Sequence, residues 1–481
     1  MKRSFLLYFI ISALLLASCH TAKRVQIPDS VSVPTDVYHN SDSVNAANIA
    51  WQQFFKDQHL QTVIDSVLRN NQDMLIALQR VTIAKEQLRM AKAALLPSIN
   101  AVATAGVERY GDYTMNGVGN YDTEFSENIS DKQRIPTPTP DYYLGLRSSW
   151  EIDLWGKLRN RKKAAIARFA ATQKGRQLIA TALIAQTGTL YYELLALDNE
   201  LLIVKRNTQL QEAALDIVKV QKEGGRATEL AVKQFEAQLY YTKSFEYSTR
   251  QQIIALENQL RFLMGQYPAH IDRSKELSPE NLPERLHTGV PSDLLLHRPD
   301  IQEAELSLQA AKADVKVARA AFLPSLTINP SVGFNAFDPS LLFNPGSFVW
   351  GIFGGLTAPV FNQKQISAAY AISIAQNKEA YYMYQKTVLN AVREVVTTMQ
   401  QLEQTKKMLH MKEQQTQALQ DAVSSARDLY VSGYATYLEI ITAQKSALEA
   451  EIEENHARKL LFTQSIELYR ALGGGSFTVD N

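Results

Sequence analysis

The chain has 481 residues, and its 50 basic and 49 acidic side chains leave a formal net charge of +1. That balance gives no electrostatic footprint for nucleic acid, and 46% apolar with 21% charged residues is the composition of a folded chain. A single cysteine excludes an intramolecular disulfide.

Lys2 and Arg3 precede an apolar stretch from Phe5 to Leu16, and the small residues Ala17-Ser18 lead to Cys19. This is the pattern of a secretory signal over residues 1–18, too short for a stable membrane helix. Leu16-Ala17-Ser18-Cys19 looks like a bacterial lipobox, which would make Cys19 the lipid-carrying first residue of the mature protein. The absence of an aspartate after it, at His20, leans towards the outer membrane. Beyond the signal no apolar run approaches the ~20 residues of a spanning helix. If the mature chain crosses a membrane, it does so as a closed β-barrel.

Residues 19–70 read as a lipidated N-terminal segment with a first helix. From there the chain is written twice. Ala93-Ala94-Leu95-Leu96-Pro97-Ser98-Ile99 returns as Ala320-Ala321-Phe322-Leu323-Pro324-Ser325-Leu326. Gly225-Arg226-Ala227-Thr228-Glu229-Leu230 returns as Gly433-Tyr434-Ala435-Thr436-Tyr437-Leu438. Repeat 1 covers 71–265, an equatorial connector 266–297, repeat 2 298–473 and a tail 474–481.

The glycine and proline map gives the helices. Arg226–Met264, Gln363–Ser432 and Tyr434–Leu472 contain neither residue, and Lys157–Glu223 has only Gly175 and Gly188. All four are rich in strong helix formers. Leu178, Thr181, Ala182, Ala185, Gly188, Thr189, Tyr192 and Leu195 form a seam at three and four spacings, as in coiled coils. At ~1.5 Å per residue the helix from Lys157 is roughly 100 Å long. Arg226–Met264 with the shorter Asp73–Leu96 would match it end to end, and Asp300–Leu323 plays the short part in repeat 2. Such helices build a wall or a tube.

Strands lie between the helices. Leu326, Ile328, Val332 and Phe334 alternate with Ser325, Thr327, Asn329, Ser331 and Asn335, and Tyr142–Leu154 alternates likewise. Ile99–Val107 and Phe348–Ala358 are their partners. Tyr142, Tyr143 and Trp155, with Phe348, Trp350 and Phe361, suit the aromatic girdles of an outer-membrane barrel. Tyr110–Pro140 reads as a long polar loop outside the cell, and Phe337–Gly346 as a shorter one. Four strands cannot close a barrel, so the chain must oligomerise; three copies in cyclic symmetry give twelve strands. The fold class is thus an α+β membrane protein of two tandem repeats, a long helical coiled-coil barrel and four strands of a twelve-stranded trimeric barrel.

These features resemble the TolC-type outer-membrane factors, in the OprM/NodT-like lipoprotein branch of tripartite RND efflux systems. The motifs that carry the resemblance are Pro291-Ser292-Asp293-Leu294-Leu295-Leu296-His297-Arg298-Pro299-Asp300-Ile301 and Trp150-Glu151-Ile152-Asp153-Leu154-Trp155-Gly156-Lys157-Leu158. The resemblance implies a homotrimer, a periplasmic adaptor protein, an inner-membrane RND transporter and passive conduction through an α-helical tunnel. It covers nearly the whole mature chain. No enzyme is expected. The eight histidines are scattered without zinc spacing, and there is no phosphate-cradling glycine loop or nucleophile elbow. No cofactor is expected beyond the lipid on Cys19.

Glycines at 224, 225 and 433 mark the helical turns. In the family, residues just past these turns close the periplasmic end. Tyr430 matches a tyrosine that ties neighbouring helices. Thr442 stands where the family often has an acid, and Glu439, one turn earlier, matches a second acidic gate position. The expected constriction is a ring of Glu439 carboxylates or of Leu438 side chains. Lys222, Gly225, Arg226, Gly433 and Tyr434 are candidate adaptor contacts at the tips. The alternatives are the outer-membrane exit of a type I protein secretion system and a non-conducting coiled-coil lipoprotein.

Overall fold

The computed structural model describes residues 49–274 and 298–475. The expected signal, Cys19 with the expected lipobox, connector residues 275–297 with Pro291–His297, and the tail from 476 lie outside them. One helical turn, Trp51–Phe54, precedes α1 (Gln58–Asn70). Repeat 1 follows as α2 (Gln72–Ala93), β1 (Ser98–Glu108), α3 (Met115–Phe125), β2 (Thr139–Ile152), α4 (Lys157–Glu223) and α5 (Glu229–Leu263). Repeat 2 runs α6 (Pro299–Ala320), β3 (Ser325–Ala336), β4 (Phe348–Thr357), α7 (Gln365–Val431) and α8 (Tyr437–Ala471).

The duplication extends to element length. α2 and α6 have 22 residues each, α4 and α7 have 67, and α5 and α8 have 35. Ser98 and Ser325 open equivalent strands 227 residues apart (325 − 98), whereas Glu223 and Val431 end equivalent helices 208 apart (431 − 223). The longer strand-to-strand loop of repeat 1 makes most of that difference.

That loop holds the clearest departure from the sequence reading. It contains α3, started by Thr114, whose hydroxyl accepts from Gly117 N at 3.1 Å. Gly117 and Gly119 inside the helix hide it from a propensity argument. The hairpin return helices begin at Glu229 and Tyr437, three residues later than expected, because Thr228 and Thr436 serve as their N-caps.

By chain contacts the molecule divides in two. One unit holds Ala84–Phe169 and Leu308–Ala380; the other holds the rest of the described residues. The first contains the antiparallel sheet, in the order β1-β2-β3-β4. Its register lines up Ala101, Leu146, Val332 and Trp350 in one row, and Ala103, Leu144, Phe334 and Phe348 in another. These rows lie on one face, where Leu146, Val332 and Trp350 are exposed by 48%, 39% and 72%. Such a surface is disfavoured in water and suited to lipid. Tyr143 does not join the girdle: it is buried on the opposite face, with the Arg147 guanidinium 4.6 Å from its ring centre. Gly145 and Gly333 pair beside it, and a Cβ on Gly145 would stand 2.7 Å from the Tyr143 hydroxyl.

The junction from β2 to α4 is fixed by hydrogen bonds. Asp153 accepts from the backbone N–H groups of Leu158 and Arg159 at 3.0 and 2.9 Å. Trp150 Nε1 donates to the Leu95 carbonyl at 3.0 Å, and Trp155 Nε1 to that of Pro324 at 2.7 Å. Two tryptophans thus tie both helix-to-strand turns to one corner of the sheet.

In the helical unit, the expected seam from Leu178 to Leu195 lies in a stretch that from Thr181 to Ala196 is buried on more than one side, although Ala182 and Gln186 stay exposed. Trp51, Phe54, Phe55, Leu60 and Ile64 pack on it together with Phe462, Ile466 and Tyr469 from α8. Further along, Asn207 Nδ2 and Gln420 Nε2 both donate to Glu451, at 2.9 and 2.6 Å. Polar groups buried between helices need partners, and meeting them fixes helix register.

Equivalent residues latch the two hairpins. Asn71 Nδ2 donates to the Leu263 carbonyl at 2.9 Å, closing α5 against the start of α2. Arg298 Nη1 donates to the Ala471 carbonyl at 2.8 Å, closing α8 against the start of α6. Arg298 is buried, and its Nη2 also binds Asp300 at 2.8 Å and Glu394 at 2.9 Å.

Candidate gate at the hairpin turns

The turn from α4 to α5 and that from α7 to α8 have one construction. Gly225 N donates to the Lys222 carbonyl at 2.9 Å and Arg226 N to Gln221 at 2.8 Å. Gly433 N donates to Tyr430 at 3.1 Å and Tyr434 N to Leu429 at 2.8 Å. Both pairs are the crossed bonds of a glycine helix stop. The glycines take φ of +73° and +81°, where a side chain is strained.

The two turns differ in how they are closed. In repeat 1 Lys222 forms an ion pair with Glu229, whose carboxyl is held below its ordinary range by the hydrogen bond from that lysine. In repeat 2 Tyr430 stands in place of Lys222. Its hydroxyl donates to Gln221 Oε1, joining the end of α7 to the end of α4. Burial raises the Tyr430 pKa, so it remains a neutral donor. Under both turns Leu215, Val218, Val232, Phe235, Ala426 and Ile440 form an apolar cluster drawn from all four long helices.

Glu439 is the third residue of α8. Its carboxylate accepts from Thr436 N at 2.9 Å and from the Thr436 hydroxyl, a reciprocal capping box. The Thr436 hydroxyl bond is the main reason its pKa is lowered. Glu439 is therefore an ionised side chain already engaged at its own helix start. Leu438 and Thr442 lie four residues apart, so they share a helix face, and both are exposed. Leu438 stands 57% exposed in a groove with Gln234, Tyr241 and Lys445. Arg226 and Tyr434 are exposed at the turn apices, with Tyr434 at 85%.

The structure thus brings Tyr430 to the first hairpin and leaves Leu438, Thr442, Arg226 and Tyr434 open. Two residues that matter here were not singled out in the sequence. Thr436 had a readable signal, a threonine three residues before a glutamate ahead of a helical run. Gln221 had none, because its role comes from a partner 209 residues away. Among the described residues no cluster of three or more His, Cys, Asp or Glu is arranged to hold a metal ion, and no helix is long and apolar enough to cross a membrane.

The sequence profile described as "Outer membrane efflux protein" matches residues 63–266 and 290–474. The chain belongs to the outer membrane efflux protein family. Its two matched segments fall on the two repeats. It is 28% identical over 472 residues to the cation efflux system protein CusC of Escherichia coli, covering 96% of this chain and 98% of that one. It is also 28% identical over 479 residues to the toluene efflux pump outer membrane protein TtgC of Pseudomonas putida, covering 98% and 95%. The probable outer membrane lipoprotein SilC of Salmonella typhimurium is 27% identical over 470 residues, 96% of each chain. Among solved structures, a CusC crystal structure superposes with a TM-score of 0.82 at 25% identity, covering 95% of this chain and all of that one. The Neisseria gonorrhoeae MtrE outer membrane channel in its open state has the same fold, with a TM-score of 0.80 at 24% identity, covering 95% and 98%.

Proposed function

We propose that the protein is the outer-membrane exit channel of a tripartite efflux pump of the RND type, a passive conduit from periplasm to exterior for drugs or other small toxic molecules. The observation that carries the reading is the open four-stranded sheet with one lipid-suited face, joined to two helical hairpins of matched length. A sheet with free edges is completed by copies of itself in a membrane, and three copies give the even strand number of a closed barrel. The homotrimer carries a lipid on each Cys19. The helical turns meet a periplasmic adaptor through Lys222, Gly225, Arg226, Gly433 and Tyr434, and an inner-membrane RND transporter supplies the energy. Tyr430, Leu438, Glu439 and Thr442 form the periplasmic gate, with Leu438 and Thr442 as its bare stripe. Relatives at 27–28% identity carry names as different as cation and toluene efflux. Cargo choice therefore belongs to pump and adaptor more than to this chain. Deleting the gene and scoring susceptibility to a panel of drugs, bile salts, dyes and metal salts tests the reading. Sensitisation restored by wild type supports it, and an unchanged profile with no conductance from purified protein refutes it.

A further inference from the structure

The first turns of α4 carry charge that the fold does not ask for. Lys157, Arg159, Arg161, Lys162, Lys163 and Arg168 come before any acidic residue of that helix, whose first is Glu193. Cations in a first turn oppose the helix dipole, so they cost local stability. The second repeat acts as an internal control. α7 has the same 67 residues, and its equivalent positions are Gln365, Ser367, Ala369, Tyr370, Ala371 and Gln376. A helix of this length in this place forms without the basic run.

Three of the six have structural duties. Lys157 binds Glu151 at 2.8 Å, Arg159 binds Asp153 at 3.0 Å, and Arg168 pairs with Asp314 on α6. Arg161, Lys162 and Lys163 have no carboxylate partner among the described residues, and Arg161 and Lys163 are exposed.

Their place along the membrane normal follows from Trp155. It stands 51% exposed at the helix-bearing end of the sheet, with its indole N–H fixed to Pro324. Exposed tryptophan at the end of a membrane strand marks the headgroup level. Arg161–Lys163 come six to eight residues later, roughly 9–12 Å along the chain at helical rise. The headgroup layer is only about 5–8 Å deep on each side of the hydrocarbon, but a long basic side chain leans back over such a gap.

We propose that Arg161, Lys162 and Lys163, fanned around α4 at about 100° steps, form a basic collar whose lipid-facing members bind the phosphates of anionic phospholipid in the periplasmic leaflet of the outer membrane, holding the trimer at a set depth. The site rests on the channel reading above. Basic clusters beside a membrane segment attract anionic headgroups by about fivefold per charge, and the attraction is screened by salt.

The test uses the full-length, detergent-solubilised protein and fluorescent phosphatidylglycerol, with phosphatidylcholine as the neutral probe. Wild type is compared with Arg161→Gln/Lys162→Gln/Lys163→Gln, since glutamine keeps helix propensity. The expected result is phosphatidylglycerol binding weakened at least tenfold in the variant, phosphatidylcholine binding unchanged, and conductance and ion selectivity in planar bilayers unchanged. Equal phosphatidylglycerol binding by the two proteins overturns the site. So does altered ion selectivity with lipid binding intact, which places the charges in the lumen. Should the variant not assemble, the wild type alone decides: binding of phosphatidylglycerol that does not weaken between low and high salt overturns the proposal. Conductance is read in the same samples, so failure of the lipid site is separable from failure of the channel reading.

Discussion

Replacing Arg298 by methionine tests why the Arg298-Pro299-Asp300-Ile301 motif matters. The guanidinium closes three groups at once: the Ala471 carbonyl at 2.8 Å, Asp300 at 2.8 Å and Glu394 at 2.9 Å. Breaking a buried ion pair from one side costs about 3–5 kcal/mol, because the remaining charge is left uncompensated. Here the low end applies. Glu394 keeps Arg470 at 3.4 Å, and Asp300 keeps a bond from the Ile301 N–H at 2.9 Å. The expected loss is thus about 3 kcal/mol per chain. Asn71→Ala at the equivalent latch removes a neutral donor and the cap of α2, where Asn71 Oδ1 accepts from Asp73 N at 2.9 Å, for about 1–2 kcal/mol. Heat unfolding followed by circular dichroism at 222 nm, at one scan rate, ranks wild type above Asn71→Ala and Asn71→Ala above Arg298→Met. The pH dependence adds a signature. Burial pushes the Glu394 carboxyl up, but Arg298 and Arg470 together hold it below its ordinary 4.5. A carboxyl depressed in the folded state stabilises above its unfolded value and loses that contribution as pH falls through the folded value. The gap between wild type and Arg298→Met therefore narrows below about pH 4. Equal unfolding curves for the two proteins, or a gap that widens in acid, would refute this reasoning.

At the proposed gate, two substitutions separate the cap of Glu439 from its charge. Glu439→Gln preserves the capping bond and removes the charge, so a change in cation selectivity of reconstituted channels assigns the carboxylate to the pore. If Glu439→Ala alters closed-state conductance while Glu439→Gln does not, the residue acts only by starting α8. Tyr430→Phe deletes the bond to Gln221 and is expected to raise closed-state conductance; unchanged current removes that bond from the closure. Lys364 has φ +66° where repeat 1 has Gly156 at +77°, so Lys364→Gly is expected to stabilise by about 1 kcal/mol, seen as a higher unfolding midpoint.

Helix lengths were legible because glycine and proline punctuate this chain so cleanly. The long helices lie within a few residues of the gaps in that map; their starts shift where Thr228 and Thr436 act as caps and where Gln363 and Lys364 take positive φ ahead of α7. The alternating strands were legible because one face carries large apolar side chains and the other mainly small or polar ones. Tyr143 was misplaced since aromatic type alone does not fix parity along a strand; its position between Arg147 and the Gly145–Gly333 pair does. α3 was missed because glycine is a poor helix former, yet the Thr114 cap and the packing of Asn120 on Thr139 at 2.6 Å outweigh that. At the hairpin turns the glycine stops were readable, but not the side-chain partners across them. Gln221 and Tyr430 meet only because both helices end at one level, which no local pattern records.

The most direct test of the account is the mass of the detergent-solubilised assembly by native mass spectrometry, taken on a sample whose conductance is recorded in parallel. The account predicts three chains per particle and ion current across a planar bilayer. A particle of one chain that passes no current would contradict it.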